Sequence, residues 1–253
     1  LDPIATGVLV LGVNDGCKVI DLLTSVSKVY QAEVIVGLKT DTLDITGTIE
    51  EEYNIENLEK EKVENILKTF KGKYLQEVPK YSAIHVNGKR LYEYARENKE
   101  VELPKREVEI FDIKLLDEIK TEKNYYSFSF IVHVSKGTYI RSLIRDIGSK
   151  LGYPCTMKNL IRIKQGNFSL EEAISIDDIK EDKIVKIVDA LQEYEKLIVD
   201  DEVAKKVENG SILSFNTNSD MVLILNQEND LLAIYIRYDK DTSKMKPYKV
   251  FRR

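Results

Sequence analysis

Apolar residues recur along this chain with two periods, and each change of period marks a new element. From Lys28 to Gly37, Tyr30, Ala32, Val34 and Val36 occupy alternate positions, which predicts a strand with one apolar face. Lys39 to Gly47 is polar and turn-rich. An acidic stretch from Glu50 to Glu64 then leads into Leu58, Val63, Ile66, Leu67 and Phe70 at helical spacing, with Gly72 as the expected stop. Tyr126, Phe128, Phe130, Val132 and Val134 alternate with Ser127, Ser129, Ile131 and His133, the clearest strand of the sequence, with His133 on its mixed face. Directly after it Ile140, Leu143, Ile144, Ile147 and Leu151 recur at helical spacing and end at Gly152. The joint Ser135-Lys136-Gly137-Thr138, where a strand feeds a helix, is therefore a place to expect chemistry. Beyond Phe168 an acidic, helix-prone segment runs from Glu171 to about Glu195. Two β-like runs follow, Met221 to Leu225 and Leu231 to Ile236, joined by Asn226 to Asp230 as a hairpin. A boundary near Tyr194 divides the chain into residues 1–194 and a small β domain of residues 195–253, whose tail from Lys246 to Arg253 interleaves cations with rings.

Composition narrows the class. The 253 residues are 43% hydrophobic and 32% charged, and no uncharged apolar stretch approaches the length of a membrane span, so a soluble globular protein is expected. Cys17 and Cys155 are too few and too far apart for a disulfide framework or a zinc cluster, and His85 and His133 add no metal set, which points to a reducing, cytoplasmic compartment. The formal charge of -5 gives no hint of nucleic acid. Its distribution does. Between Ser135 and Gly166, Lys136, Arg141, Arg145, Lys150, Lys158, Arg162 and Lys164 stand against Asp146 alone. A second patch sets Lys80, Lys89, Arg90 and Arg96 among Tyr81, His85, Tyr92 and Tyr94. Phosphates attract the cations and unstacked bases the rings, so RNA or single-stranded nucleic acid is the reading set against two solvated faces. Other residues default to structure: Asp2 before Pro3 to a turn, Asp41 and Asp44 to a loop lacking calcium-ligand spacing, Tyr30 to a packed ring and Arg141 to a surface cation. Gly88-Lys89 lacks the upstream glycine of a phosphate loop, which removes nucleotide hydrolysis. The opening residues have neither an initiator Met nor a signal-peptide pattern, and read as the interior of a longer protein.

Leu1-Asp2-Pro3-Ile4-Ala5-Thr6-Gly7-Val8-Leu9 resembles the LDPxATGVL motif of the TruB family of bacterial tRNA pseudouridine synthases. Lys28-Val29-Tyr30, the segment from Thr40 to Gly47, Pro79-Lys80-Tyr81-Ser82-Ala83, Gly88-Lys89-Arg90-Leu91-Tyr92 and Ser135-Lys136-Gly137-Thr138-Tyr139-Ile140-Arg141 resemble that family's blocks in order and approximate spacing. The likeness is strong from Leu1 to about Phe168 and looser beyond. The family's Lys-Pro and Gly-His-x-Gly segments, which precede the motif, are expected upstream of Leu1.

The resemblance implies isomerisation of uridine 55 in the tRNA T loop: cleavage of an N-glycosidic bond, rotation of the flipped-out uracil and rejoining through C5, with no cofactor or metal. It implies that Asp2 is the essential carboxylate, acting as nucleophile or base toward the ribose or the uracil ring, that Arg141 holds it in a charge-assisted pair, and that Tyr30 stacks on the uracil and accepts the C5 proton directly or through water. Tyr139 and Leu160 would wall the pocket, Lys18, Asp44 and Arg162 would order the site or the RNA, and Lys136 would meet phosphate. The implied fold is α+β: a mixed, largely antiparallel sheet with flanking helices and a central cleft, followed by a PUA-like RNA-binding domain. The expected partner is the T-arm stem-loop, with no membrane and no protein partner, the enzyme acting as a monomer. Two other functions stand beside this one, a non-catalytic protein that binds and refolds tRNA and a guide-RNA-dependent synthase. From the charge pattern, affinity for T-arm RNA is predicted to fall steeply with salt through Lys136, Lys158 and Arg162. Titration at several salt concentrations measures this, and salt-independent binding refutes the RNA reading.

Overall fold

The two alternating segments become neighbouring strands in the middle of one sheet. A computed structural model of the chain describes residues 2–122 and 125–251; Leu1 of the N-terminal motif and Arg252 and Arg253 of the basic tail lie outside the described residues. The main strands are β1 (Thr6–Gly7), β2 (Lys28–Val36), β3 (Gly72–Glu77), β4 (Lys105–Leu115), β5 (Tyr125–Val134) and β6 (Cys155–Gln165). They pair in the order β1-β6-β2-β5-β4-β3. Only the β1 to β6 pairing on this path is parallel, so the sheet is mixed and largely antiparallel, as expected.

Register explains the core. Phe128 lies opposite Val34 and Phe130 opposite Ala32, so the apolar faces of β2 and β5 coincide. Onto that face pack the helices α1 (Lys60–Lys68) and α2 (Ile140–Leu151), through Val63 and Leu67 of the first and Leu143, Ile144 and Ile147 of the second. Gly152 ends α2 as anticipated: its φ of 86° is the left-handed conformation of a helix stop, and its N–H bonds the Gly148 carbonyl at 3.0 Å. At α1 the expectation of Gly72 as the stop is off by one turn. Thr69, Phe70 and Lys71 already close three-residue turns on Ile66, Leu67 and Lys68, and Gly72 opens β3 instead.

Contacts divide the chain into two compact units, Leu1–Leu9 with Ser25–Ala173, and Val10–Thr24 with Ile174–Arg253. In the second, β7 (Glu195–Ile198), β8 (Met221–Leu225), β9 (Leu231–Arg237) and β10 (Met245–Val250) pair in that order, β8 and β9 forming the hairpin read from the sequence. Helix α3 (Asp201–Glu208), whose N-terminus the Asp200 carboxylate caps by accepting the Val203 N–H at 2.8 Å, adds Val207 to a core of Val222, Ile224, Leu232, Tyr235 and Met245. The acidic segment from Glu171 to Glu195 is not a continuous helix. It holds only the short turns Ile176–Asp178, Glu181–Lys183 and Ile187–Ala190. Ile176, Ile179, Ile184 and Val185 stay exposed, because their spacing makes no single stripe that a helix could bury. Among the described residues no helix is long and apolar enough to cross a membrane.

Phe130→Ala removes a fully buried ring and is expected to cost about 3–5 kcal/mol. Leu75→Ala, on the exposed side of β3, is expected to change stability by less than about 0.5 kcal/mol. Urea unfolding of the two variants checks both values.

Candidate active site

The motif at the N-terminus is a turn followed by a tight parallel pairing. Pro3 fits the second position of the turn in which the Ala5 N–H bonds the Asp2 carbonyl at 2.9 Å. Thr6 and Gly7 then lie along Ile161 and Arg162 of β6. The Val8 N–H donates to the Arg162 carbonyl at 2.8 Å, and Arg162 Nε returns a bond to the Val8 carbonyl at 2.7 Å. Gly7 has φ of 99°, and a Cβ there would sit 2.2 Å from the Arg162 carbonyl oxygen, so only glycine allows this approach. The side chain of Asp2 is thereby delivered to the start of α2.

Arg141 waits there, in the first turn of α2. Its Nε donates to Asp2 Oδ2 at 2.8 Å and its Nη2 to Asp2 Oδ1 at 2.6 Å, a bidentate fork. Nη2 also donates to the Tyr81 carbonyl at 3.0 Å and Nη1 to the Thr42 carbonyl at 2.9 Å, while Asp44 Oδ2 stands 3.8 Å from Nη1. With its side chain only 6% exposed, Arg141 is no surface cation, the default for a lone helical arginine. The helix start is set by Gln76 of β3, fully buried, whose Oε1 accepts the Tyr139 N–H at 2.8 Å and whose Nε2 donates to the Tyr139 carbonyl at 3.1 Å.

The polar segment after β2 is a locked loop, as its spacing implied. Asp44 Oδ1 accepts bonds from Thr42 Oγ1 at 2.9 Å, the Thr46 N–H at 3.0 Å and Thr46 Oγ1 at 2.5 Å. Backbone bonds between Leu43, Ile45 and Met157 pin the loop to β6. Asp41 accepts the Tyr81 hydroxyl at 3.0 Å, which ties the loop to the segment that supplies the second carbonyl.

Tyr30 stands across from Arg162 in the β2 to β6 register. Burial pushes its phenol above the usual range and the Asp2 charge adds to this, against a bond and a favourable charge from Arg162. The phenol is therefore neutral at physiological pH. Ile4, Ala5 and Tyr30 pack on the core that contains Leu160. Thus Asp2, Arg141 and Asp44 come together, Tyr30 and Arg162 stand beside them, and Leu160 lies in the core beneath. Tyr139 contributes its peptide to the Gln76 lock, and its ring faces the Arg106 guanidinium at 5.5 Å. Exposed Lys136 bonds Ser25 Oγ at 2.9 Å. Lys158 is paired with Glu33 at 2.9 Å, which reduces its availability to phosphate. Lys18 lies in the second unit, where it bonds Asp15 at 2.8 Å and the Val250 carbonyl at 3.2 Å.

Sequence reasoning passed over four contributors. The carbonyls of Thr42 and Tyr81 carry no side-chain signal, and Gln76 gives none on its own. Lys28 could have been found from the strand period, two positions before Tyr30; partial burial and the charges of Arg162 and Lys136 push its ammonium down to about 8. Among the described residues no three His, Cys, Asp or Glu side chains gather as a metal site needs. A surface cleft of about 600 Å³, lined by Phe70, Lys73, Tyr74, Lys105, Arg145 and Asp146 among others, shares no residue with the Asp2 site. What the site offers is a fixed carboxylate beside a neutral aromatic ring, with the buried Arg162 and the half-buried Lys28 next to that ring.

Comparison with known proteins gives the same direction. Residues 1–140 match the family model described as TruB family pseudouridylate synthase, N terminal domain. The chain is 43% identical to tRNA pseudouridine synthase B of Bacillus subtilis (strain 168), over 99% of this chain and 86% of that protein. It is 40% identical to the protein of the same name from Bacillus licheniformis, with the same coverage. Among solved structures it is similar to a chain of a Cbf5-Nop10-Gar1 complex, with a TM-score of 0.69 at 23% identity, over the whole of this chain and 74% of that one. At that identity the likeness shows the fold: a pseudouridine synthase architecture.

Arg141→Leu leaves the Asp2 carboxylate and the Thr42 and Tyr81 carbonyls without their donor, and is expected to destabilise the protein by about 3–5 kcal/mol in denaturant unfolding. Asp2→Asn, which keeps an acceptor on the fork, is expected to cost less than half as much in the same measurement.

Proposed function

The chain belongs to the TruB family of pseudouridylate synthases, and on that premise we propose that it isomerises uridine 55 in the T loop of tRNA to pseudouridine. The observation that carries the reading is the Asp2 carboxylate held by the bidentate Arg141 fork beside Tyr30. A fork that occupies one lone pair on each oxygen leaves the outward pairs for the substrate. Asp2 therefore acts on the linkage between ribose and uracil from one fixed direction, without spending free energy on orientation during the reaction. The target base, flipped from the folded loop, stacks on Tyr30. A neutral phenol accepts a proton only while passing its own on, so Tyr30 serves the C5 proton as a relay rather than as a preformed phenolate. The cost of cleaving a base from a sugar is met by positioning and by charge, and no cofactor enters.

Leu160 and Tyr139 wall the pocket, Asp44 and Arg162 order it, and Lys18 and Lys136 engage the RNA. The sheet of residues 195–253 is read as a PUA-like RNA-binding domain that grips the acceptor side of the tRNA and follows a catalytic domain of residues 1–194. The protein acts as a cytoplasmic monomer without a protein partner or guide RNA. The bacterial relatives named tRNA pseudouridine synthase B, at about 40% identity, support tRNA as the substrate.

Incubation with unmodified tRNA transcript alone, followed by carbodiimide mapping, is expected to give a pseudouridine signal at uridine 55. Asp2→Asn is expected to lower the rate by about a thousandfold or more while transcript affinity is kept within about threefold. Binding of the transcript by the wild type with every uridine unchanged would overturn the enzyme reading in favour of a tRNA-refolding protein.

A further inference from the structure

We propose that Lys28, Arg162 and Lys136 form a phosphate clamp for the same nucleotide whose base lies on Tyr30. This rests on the RNA-modifying reading above, and adds to it where the substrate backbone is held. Lys28 and Tyr30 stand two apart on β2, so their side chains leave the same face about 7 Å apart, the reach of one nucleotide from its base to its phosphate. Arg162 lies opposite Tyr30 in the register, and its charge favours the ionised form of the phenol. The register of β6 shifts between Arg162 and Lys164, an irregularity of the kind that re-aims side chains next to sites. Lys136 reaches back from the loop before α2 to Ser25, and Lys28 Nζ folds onto the Val26 carbonyl at 2.6 Å, so both ammonium groups meet the short segment that leads into β2.

Partial burial is what most disfavours the charge on Lys28, and the neighbouring cations Arg162 and Lys136 each add to this, an arrangement unfavourable for the fold by itself. In a chain of net charge -5 such a gathering at the edge of a base-binding surface identifies an anion as its ligand, and next to a nucleobase that anion is a phosphodiester. The charged and titratable groups that face Lys28 are Arg162 of β6, Lys136 of the loop and Tyr30 on its own strand, whereas Lys164 of β6 and His133 of β5 stand opposite Val29 and so leave the other face of the sheet.

The test is affinity for a T-arm hairpin at 50 to 200 mM salt and at pH 7 to 9, for the wild type, Lys28→Met and Lys28→Arg. Lys28→Met is expected to reduce the slope of log affinity against log salt by about 0.7–0.9, so that the wild-type advantage shrinks about threefold across that range. Wild-type affinity is expected to fall as pH rises through about 8, where free Lys28 loses its proton, and Lys28→Arg is expected to abolish that fall while keeping the wild-type slope. A wild-type slope in Lys28→Met, or a pH-dependent fall that persists in Lys28→Arg, overturns the clamp; if Lys28→Met does not fold, the arginine arm decides. Pseudouridine formation is scored on the same hairpin. Missing product with the expected slopes sinks the catalytic reading and leaves the clamp, whereas product with unaltered slopes does the reverse.

Discussion

A guanidinium taken out of water has to find a partner for nearly every N–H, and that requirement at Arg141 organises the first compact unit. Its partners come from three separate places in the sequence: the turn at Asp2, the loop at Thr42 and the segment at Tyr81. Each is held by a device of its own. The turn is seated on β6 through Gly7, the loop is closed around Asp44, and the Tyr81 hydroxyl is tied to Asp41. The donor is fixed as firmly as the acceptors, because Gln76 grips both ends of the Tyr139 peptide at the start of α2. Loosening any one of these would leave buried charge or buried carbonyl groups without partners, which is costlier than the bonds are favourable. The site is thus preorganised by the same contacts that keep its arginine soluble in the interior.

How far the sequence alone reaches can be judged from particular residues. Period-two alternation located β2 and β5 and their shared face, because a half-buried strand has to alternate. Three-and-four spacing together with Gly152 located α2 and its end. These are local signals, legible within a dozen positions. Asp2 and Arg141, separated by 139 residues, share no local pattern, and read singly they default to a turn residue and a surface cation. The resemblance of several ordered blocks joined them; periodicity could not. Thr42 and Tyr81 act through carbonyl oxygens, which every residue possesses, so their identities announce nothing. The segment after Glu171 misled because acidic, helix-compatible composition was present without a stripe of apolar positions to bury.

Charge is distributed to serve two ends. Several lysines and arginines are offset by neighbouring carboxylates, as in Lys158 with Glu33 and Arg145 with Asp146, and such pairs keep an acidic surface from acquiring indiscriminate affinity for anions. Around Tyr30 the pattern differs: Arg162 and Lys136 both bear on the charge of Lys28, and Arg162 also holds the backbone that follows the Asp2 turn. One arginine therefore couples the geometry of the motif to the field at the rim.

The parallel pairing of Thr6 and Gly7 with Ile161 and Arg162 has a consequence for the order in which the molecule is made. Synthesis proceeds from the N-terminus, so Asp2 is among the first of these residues to leave the ribosome, and the strand that must seat it is among the last parts of its unit. Until Arg162 has emerged, the turn has no edge to dock on. The intervening strands can already pair β2 with β5 and β5 with β4 over shorter loops, whose closure is less demanding. The turn that carries Asp2 is consequently seated only when the sheet gains this edge, which makes completion of the site a report on completion of the fold.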